Sequence, residues 1–207
     1  MEYQEEKRAV AETMKRLYSR GLTTATGGNV SMRRGNLIFI TPSSLDKSSL
    51  SADDIAVVDL DAGENLTPDK KLSIETWMHA AVYSSRRDVG AVVHSHPTFS
   101  SLYSASSDSI NTHIIAEAYY LLDEVIKVPY ALMGTRLLAE YVGKSVVKGS
   151  AFLLENHGAL TVGKDLLSAF DRMEVLEQSA KMTYLSNGLN DRCDLNIERL
   201  AAIAAMR

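Results

Sequence analysis

The chain has 207 residues, 45% hydrophobic and 23% charged, which excludes extended disorder and leaves enough length for a sizeable core without covalent staples. Lys plus Arg total 22 against 26 Asp plus Glu, a formal charge of −4, so binding nucleic acid through clustered positive charge is disfavoured. A single cysteine, Cys193, excludes an internal disulfide framework and a thiolate metal cluster.

The opening segment, Met1 to Arg8, is charged and lacks an apolar signal core. No apolar run approaches the ~18 residues of a membrane helix, so the expected setting is the cytoplasm, with no membrane partner. Residues 5–20 read as an amphipathic helix, with Val10, Met14 and Leu17 at i, i+4, i+7 and Gly21 closing it. A polar loop over 23–29 leads to strands at 30–33 and 37–41, joined as a hairpin by Arg34-Gly35-Asn36. Thr41 to Ser44 form a second polar loop, and 55–60 is a further strand. Residues 75–86 read as a helix with Trp77, Ala80, Ala81 and Ser84 on one stripe. Residues 91–96 read as a buried strand that Pro97 ends. Thr135 caps a helix through Leu137, Leu138 and Val142. Strands at 151–155 and 159–162 flank an Asn156-His157-Gly158 turn. Asp165 opens a long helix with Leu166, Phe170, Met173, Leu176 and Ala180 on its apolar side. The tail beyond Gly188 has helical composition but weak anchoring, and is expected to be mobile. Strands run together between helices without strict βαβ alternation, so one domain over 1–207, α/β or α+β with a mixed sheet, is expected.

His94-Ser95-His96 carries the chemistry. Residues i and i+2 of a strand share a face, so both imidazoles can converge on one metal ion, or each can be satisfied by hydrogen bonds. His157, in a turn at a sheet end, supplies a third imidazole; three with one open position is a catalytic zinc arrangement, though cobalt, manganese or iron also suit imidazole. His79, mid-helix, is expected to pack or face solvent. Glu75 begins a helix, where a carboxylate complements the macrodipole; beside a metal it can serve as general base or exchangeable ligand. Thr26-Gly27-Gly28-Asn29, Ser43-Ser44 and Ser73 are ordinary turn chemistry, or polar loops that hold a phosphorylated substrate.

The ordered set G-G-N-V-S (27–31), T-P-S-S (41–44), S-I-E (73–75), H-S-H-P (94–97), V-P-Y-A-L-M-G-T (128–135) and N-H-G (156–158) resembles the class II aldolase/adducin-head family. Its members include L-fuculose-1-phosphate and L-rhamnulose-1-phosphate aldolases and L-ribulose-5-phosphate 4-epimerase. The resemblance implies a three-layer α/β/α sandwich with a mixed, mostly antiparallel sheet, and a C4 homotetramer with active sites at subunit interfaces. It implies zinc on His94, His96 and His157, acid/base work by Glu75, and substrate phosphate at Thr26, Gly28, Asn29, Ser43, Ser44 and Ser73. The expected reaction is cleavage of an L-fuculose-1-phosphate-like ketose to dihydroxyacetone phosphate and an aldehyde. A sister epimerase, methylthioribulose-1-phosphate-type dehydratase or decarboxylase would use the same metal site, and an adducin-like assembly module would not be an enzyme. Two positions depart from the aldolase pattern. Ile74 stands where a serine is usual, and Ile115 where a neighbouring subunit would contribute a catalytic tyrosine. Glu117, Tyr119 and Tyr120 are the candidates for that second acid/base.

Overall fold

Alternation in the strands divides the apolar residues between two faces, and both faces are covered. The computed structural model describes residues 3–207; Met1 and Glu2, at the head of the charged opening segment, lie outside the described residues. In chain order the elements are α1 (Gln4–Ser19), β1 (Asn29–Arg34), β2 (Leu37–Ile40), β3 (Ala56–Asp59), α2 (Thr76–Ser85), β4 (Ala91–Ser95), α3 (Thr98–Ser104), α4 (Ala116–Leu122), β5 (Val125–Val128), α5 (Arg136–Ser145), β6 (Ala151–Leu154), β7 (Gly158–Gly163), α6 (Leu166–Ser186) and α7 (Ile197–Ala204). The strands form one seven-stranded sheet in the order β3-β2-β1-β4-β7-β6-β5. Every named pairing is antiparallel except β5 with β6.

On β4, Ala91 and Val93 pack with Val10, Met14 and Leu17 of α1 and Phe170, Met173 and Leu176 of α6. Val92 points the other way, to Met78 and Val82 of α2 and Leu138 and Val142 of α5. Period two thus places α1, α3, α4 and α6 on one face and α2 and α5 on the other, a three-layer α/β/α sandwich. His94 has the parity of Val92, so it belongs to the α2 face. It pairs with Asn29 on β1 and Leu160 on β7, at the centre of the sheet.

The structure adds detail to two expectations and corrects a third, the mobile tail. On α2 the buried stripe is Met78, His79, Val82 and Tyr83; Trp77, Ala80, Ala81 and Ser84 line a surface groove against α5 instead. Small residues occur there because α5 comes close: a Cβ on Gly143 would lie 3.5 Å from the Ala81 Cβ. The helix expected from Thr135 is present as α5, capped by Thr135 accepting from the Leu138 N–H, with Leu138 and Val142 buried and Leu137 exposed. The tail is also tied down, because Arg207 pairs with Asp123 at 2.6 Å and the Leu195 N–H donates to the His113 carbonyl at 2.8 Å. α3, α4 and β5 carried no clear signal in the sequence, since each is only four to seven residues long. Among the described residues, no helix is long and apolar enough to cross a membrane.

Candidate metal centre

His94 sits near the end of β4, His96 just beyond it, and His157 in the β6–β7 turn. The turn is possible because Asn156 adopts φ 51°. It is anchored by Asn156 N–H to the Ser104 carbonyl (3.2 Å), while the Glu155 carboxylate accepts from Tyr130 N–H at 2.8 Å. Gly158 allows the close approach: a Cβ there would lie 2.6 Å from His96 Cδ2 and 2.7 Å from the Ser95 carbonyl oxygen. Ligand-capable atoms of the three histidines lie within 4.8 Å of one another.

Glu75 is the N-cap residue of α2, and its carboxylate enters the same space. Oε2 lies 3.2 Å from His94 Nε2 and Oε1 lies 3.2 Å from His157 Nε2. Yet Glu75 Oε1, His94 Nε2 and His157 Nδ1 are buried without a hydrogen-bond partner among the described residues. The two contacts have ion-pair distance but not hydrogen-bond geometry, so Glu75 approaches His94 Nε2 and His157 Nε2 without bonding to either, while the orphaned Nδ1 is the other nitrogen of the His157 ring. His94 Nδ1 donates to the Ala159 carbonyl at 2.8 Å, and against its burial the Glu75 carboxylate raises the proton affinity of the ring at Nε2, the nitrogen that an incoming cation would take over. Burial, then repulsion from His94, pushes His96 down to about 3 and His157 to about 4, so both are neutral imidazoles, the ligating form. Burial alone would raise the Glu75 carboxyl, but His94, His157 and the Asn29 amide together hold it below the usual carboxylate range. Orphaned ligand atoms, two neutral rings and a third held beside a carboxylate fit one divalent cation held by His94, His96 and His157.

The polar loops lie side by side next to this centre. Asn29 Nδ2 donates to Glu75 Oε2 at 2.7 Å and to Ser73 Oγ at 3.1 Å, and Glu75 N–H also donates to Ser73 Oγ. Ser73 Oγ therefore accepts twice within the chain and keeps its own proton to donate elsewhere. Gly28, at φ +66°, lies so close to β4 that a Cβ would meet the His94 carbonyl oxygen at 2.7 Å. Ser43 N–H donates to the Lys71 carbonyl, joining the 41–44 loop to the segment that carries Ser73 and Glu75. Thr26 and Ser44 are exposed and Ser43 is half-buried, so their hydroxyls remain open to a ligand. Sequence reasoning missed Lys47. It is 1% exposed, its N–H bonds to the Ala25 carbonyl and its ammonium to the Pro42 carbonyl at 2.7 Å, so it clamps the 23–29 and 41–44 loops together. Burial pushes its ammonium down to about 8.

His79 neither faces solvent nor merely fills space. Its ring is fully buried, with Nε2 2.5 Å from Asn29 Oδ1 and Nδ1 2.7 Å from Ser31 Oγ. Burial, then the nearby His94, pushes it down to about 3, so it is neutral. Glu117, Tyr119 and Tyr120 lie on α4, which precedes the first residue of β5, paired with Ala151, whereas His157 follows the far end of β6. Tyr119 packs edge-on against His113 beneath Arg207, and Tyr120 lines a cavity with Asp123, Arg172 and Arg207. Within one chain the fold does not bring these three to the histidines; Ile115 is the N-cap residue of the same helix.

Comparison with known proteins gives a consistent family. The description Class II Aldolase and Adducin N-terminal domain matches residues 8–184. The chain is 36% identical over 173 residues to an L-fuculose phosphate aldolase of Methanococcus maripaludis, covering 84% of this chain and 93% of that protein. It is 31% identical over 189 residues to a 3-oxo-tetronate 4-phosphate decarboxylase of Haemophilus influenzae, covering 88% and 89%. A solved L-fuculose 1-phosphate aldolase superposes with a TM-score of 0.88 at 29% identity, covering 98% of this chain and 95% of that one.

Proposed function

The chain belongs to the class II aldolase and adducin N-terminal family and is a lyase, and we propose that it cleaves a phosphorylated ketose by a zinc-dependent retro-aldol reaction in the cytoplasm. The single observation that carries the reading is the orphaned Glu75 Oε1 beside three converging imidazoles.

In this proposal His94, His96 and His157 hold the metal. When bound, that ion supplies Lewis-acid polarisation of substrate oxygens. Glu75 acts at Oε1, which has no hydrogen bond, while Asn29 holds Oε2. As the C–C bond breaks, the electron pair stays on the dihydroxyacetone phosphate half, and Glu75 Oε1 delivers the proton that this carbon takes up. The hydroxyl proton of the aldehyde half leaves to a second base. Glu75 is ionised at rest, so it is loaded with one proton, passed from the substrate hydroxyl by way of the second base and solvent, before it delivers one to carbon, and no net proton is gained or lost. Thr26, Gly28, Ser43, Ser44 and Ser73 take the phosphate through hydroxyl and backbone N–H donors, and Asn29 serves that pocket by holding Ser73, since both of its amide hydrogens are engaged within the chain. Four copies would assemble with the sites at their interfaces. Ile74, Tyr130, Leu132, Met133 and Leu137, all about half exposed, make an apolar surface beside the site for that contact.

A decarboxylase reading has specific support in the Haemophilus influenzae relative, and it would use the same centre to hold a carbanion after loss of CO2. The deciding experiment is product analysis by NMR after incubating zinc-loaded protein with ketose 1-phosphates and 3-oxo-tetronate 4-phosphates. Dihydroxyacetone phosphate with an aldehyde is the expected outcome; CO2 release instead transfers the assignment to the decarboxylase.

A further inference from the structure

Asn29 and Ser31 lie on one face of β1, and Glu75, His79 and Tyr83 lie one turn apart on the face of α2 that packs against it. Two strand residues advance about 6.8 Å and four helix residues about 6 Å, so the two rows mesh rung by rung. The bonds alternate between the elements: Glu75 Oε2 to Asn29 Nδ2 at 2.7 Å, Asn29 Oδ1 to His79 Nε2 at 2.5 Å, His79 Nδ1 to Ser31 Oγ at 2.7 Å, and Ser31 Oγ to Tyr83 OH at 2.8 Å. All five residues are at most 6% exposed.

The chain has one consistent direction. Asn29 Nδ2 donates to Glu75 Oε2 and to Ser73 Oγ, so its NH2 faces that side and Oδ1 is presented on the other. That oxygen needs a donor, so His79 carries its proton on Nε2 and leaves Nδ1 bare. Ser31 then donates to Nδ1, and its oxygen accepts from Tyr83. Reversing any link sets two acceptors or two donors against each other in a buried place. We propose that His79 is a positioning residue: as its Nε2–H tautomer, ordered by Tyr83 and Ser31, it fixes the Asn29 carboxamide so that Glu75 is held through Oε2 with Oε1 presented to the metal centre. Without that donor the Asn29 amide is free to flip, its oxygen faces the carboxylate, and Glu75 swings out of line. The functional part of this inference rests on the reading of Glu75 as the proton carrier.

Two side-chain amides separate positioning from packing. The Gln amide reaches the place of the imidazole Nε2, so His79→Gln keeps the donor to Asn29. The shorter Asn reaches only the place of Nδ1, so His79→Asn keeps the contact with Ser31 and loses the donor. At matched zinc content, His79→Asn should lose about 10²-fold in kcat, the cost of a misplaced catalytic group. His79→Gln should turn over at least about tenfold faster than His79→Asn. KM should stay within about threefold in both, because Thr26, Gly28, Ser43 and Ser44 are untouched and Ser73, which only accepts from Asn29, keeps its own proton to donate. Equal turnover of the two variants, or a loss carried by KM, overturns the proposal. If neither variant folds, Ser31→Ala removes a link one step further from Glu75, and it should lower kcat about tenfold at constant KM; an unchanged kcat overturns the proposal. Side-chain 15N NMR of the wild-type protein at pH 7 tests the relay without any turnover. His79 should show a protonated Nε2 and a bare Nδ1, and the opposite tautomer or an imidazolium overturns the chain's direction. If no substrate of the panel is cleaved, the functional assignment falls, and this spectrum still decides the relay.

Discussion

Replacing Glu75 by Gln changes one atom of a side chain that is 6% exposed and contacted on both oxygens. The amide oxygen can occupy the place of Oε2 and keep accepting from Asn29 Nδ2, now 2.7 Å away. The amide nitrogen then stands where Oε1 was, 3.2 Å from His157 Nε2, and it cannot take up a proton at neutral pH. On the stability side, a charge-assisted hydrogen bond becomes a neutral one, a loss of about 1 kcal/mol. Relief from burying a charge opposes that loss, so the net change should stay within about 1–2 kcal/mol. On the catalytic side, removing a general acid/base lowers turnover about 10² to 10⁴-fold, or about 3–5 kcal/mol in the barrier. The assay is turnover of the purified variant beside its melting temperature and its zinc content by elemental analysis. Unchanged turnover at matched zinc would reduce Glu75 to a helix-terminus charge. A fall in zinc content parallel to the fall in turnover would make Glu75 a ligand and refute its assignment as proton carrier.

Gly28→Ala adds a Cβ 2.7 Å from the His94 carbonyl oxygen at φ +66°, so it should cost at least about 2 kcal/mol and lower the melting temperature by about 4–8 °C; an unshifted melt would mean that the loop lifts from β4 at no cost. Chelating the metal should abolish turnover and lower the melting temperature, and a metal at about 100 times its Kd contributes about 2.7 kcal/mol. His157→Ala should remove that metal-dependent increment. Acid should destabilise the metal-free protein with a defined sign: His79 is pushed from 6.5 to about 3 in the folded chain. Its stability contribution is therefore complete above pH 6.5 and is lost as pH falls from 6.5 toward 3, at about 1.4 kcal/mol per pH unit. His96 and His157, also lowered, act in the same direction. Urea unfolding at pH 6.5 and pH 5 should show His79→Gln losing about 2 kcal/mol less than wild type over that interval; an identical loss would mean that His79 is not held neutral.

Strand alternation made much of the site legible before any coordinates. H-x-H on a strand puts His94 and His96 on one face whatever the rest of the chain does. The N-H-G turn between two apolar runs puts His157 at a sheet end. The ends of α1 and α6, Gly21 and Asp165, are local punctuation, and both occur where that chemistry requires. Even the relay was written locally, as Asn29-x-Ser31 on a strand and Glu75-x3-His79-x3-Tyr83 on a helix. What the sequence could not supply was that these two rows face each other.

That pairing is a tertiary fact. The sheet order sets β1 beside β4, and the packing of Met78 and Val82 on the sheet rotates α2 so that His79 and Tyr83 turn inward with them. Trp77 and the alanines share one stripe as expected, but that stripe lines the groove against α5, and apolar character alone does not show that another face of α2 is the buried one. His79 and Tyr83 occupy that face because each buried polar atom finds a partner on β1. Lys47 is a similar case: nothing local distinguishes it from a surface lysine until two loops, joined only by the fold, enclose it. The tail was misread for the same reason, since the groups that hold Arg207 and Leu195 lie some eighty residues earlier in the chain. Periodicity and turn chemistry act between near neighbours and are readable in order. The partners that satisfy buried polar groups come from distant segments, and only the packed structure decides which ones meet.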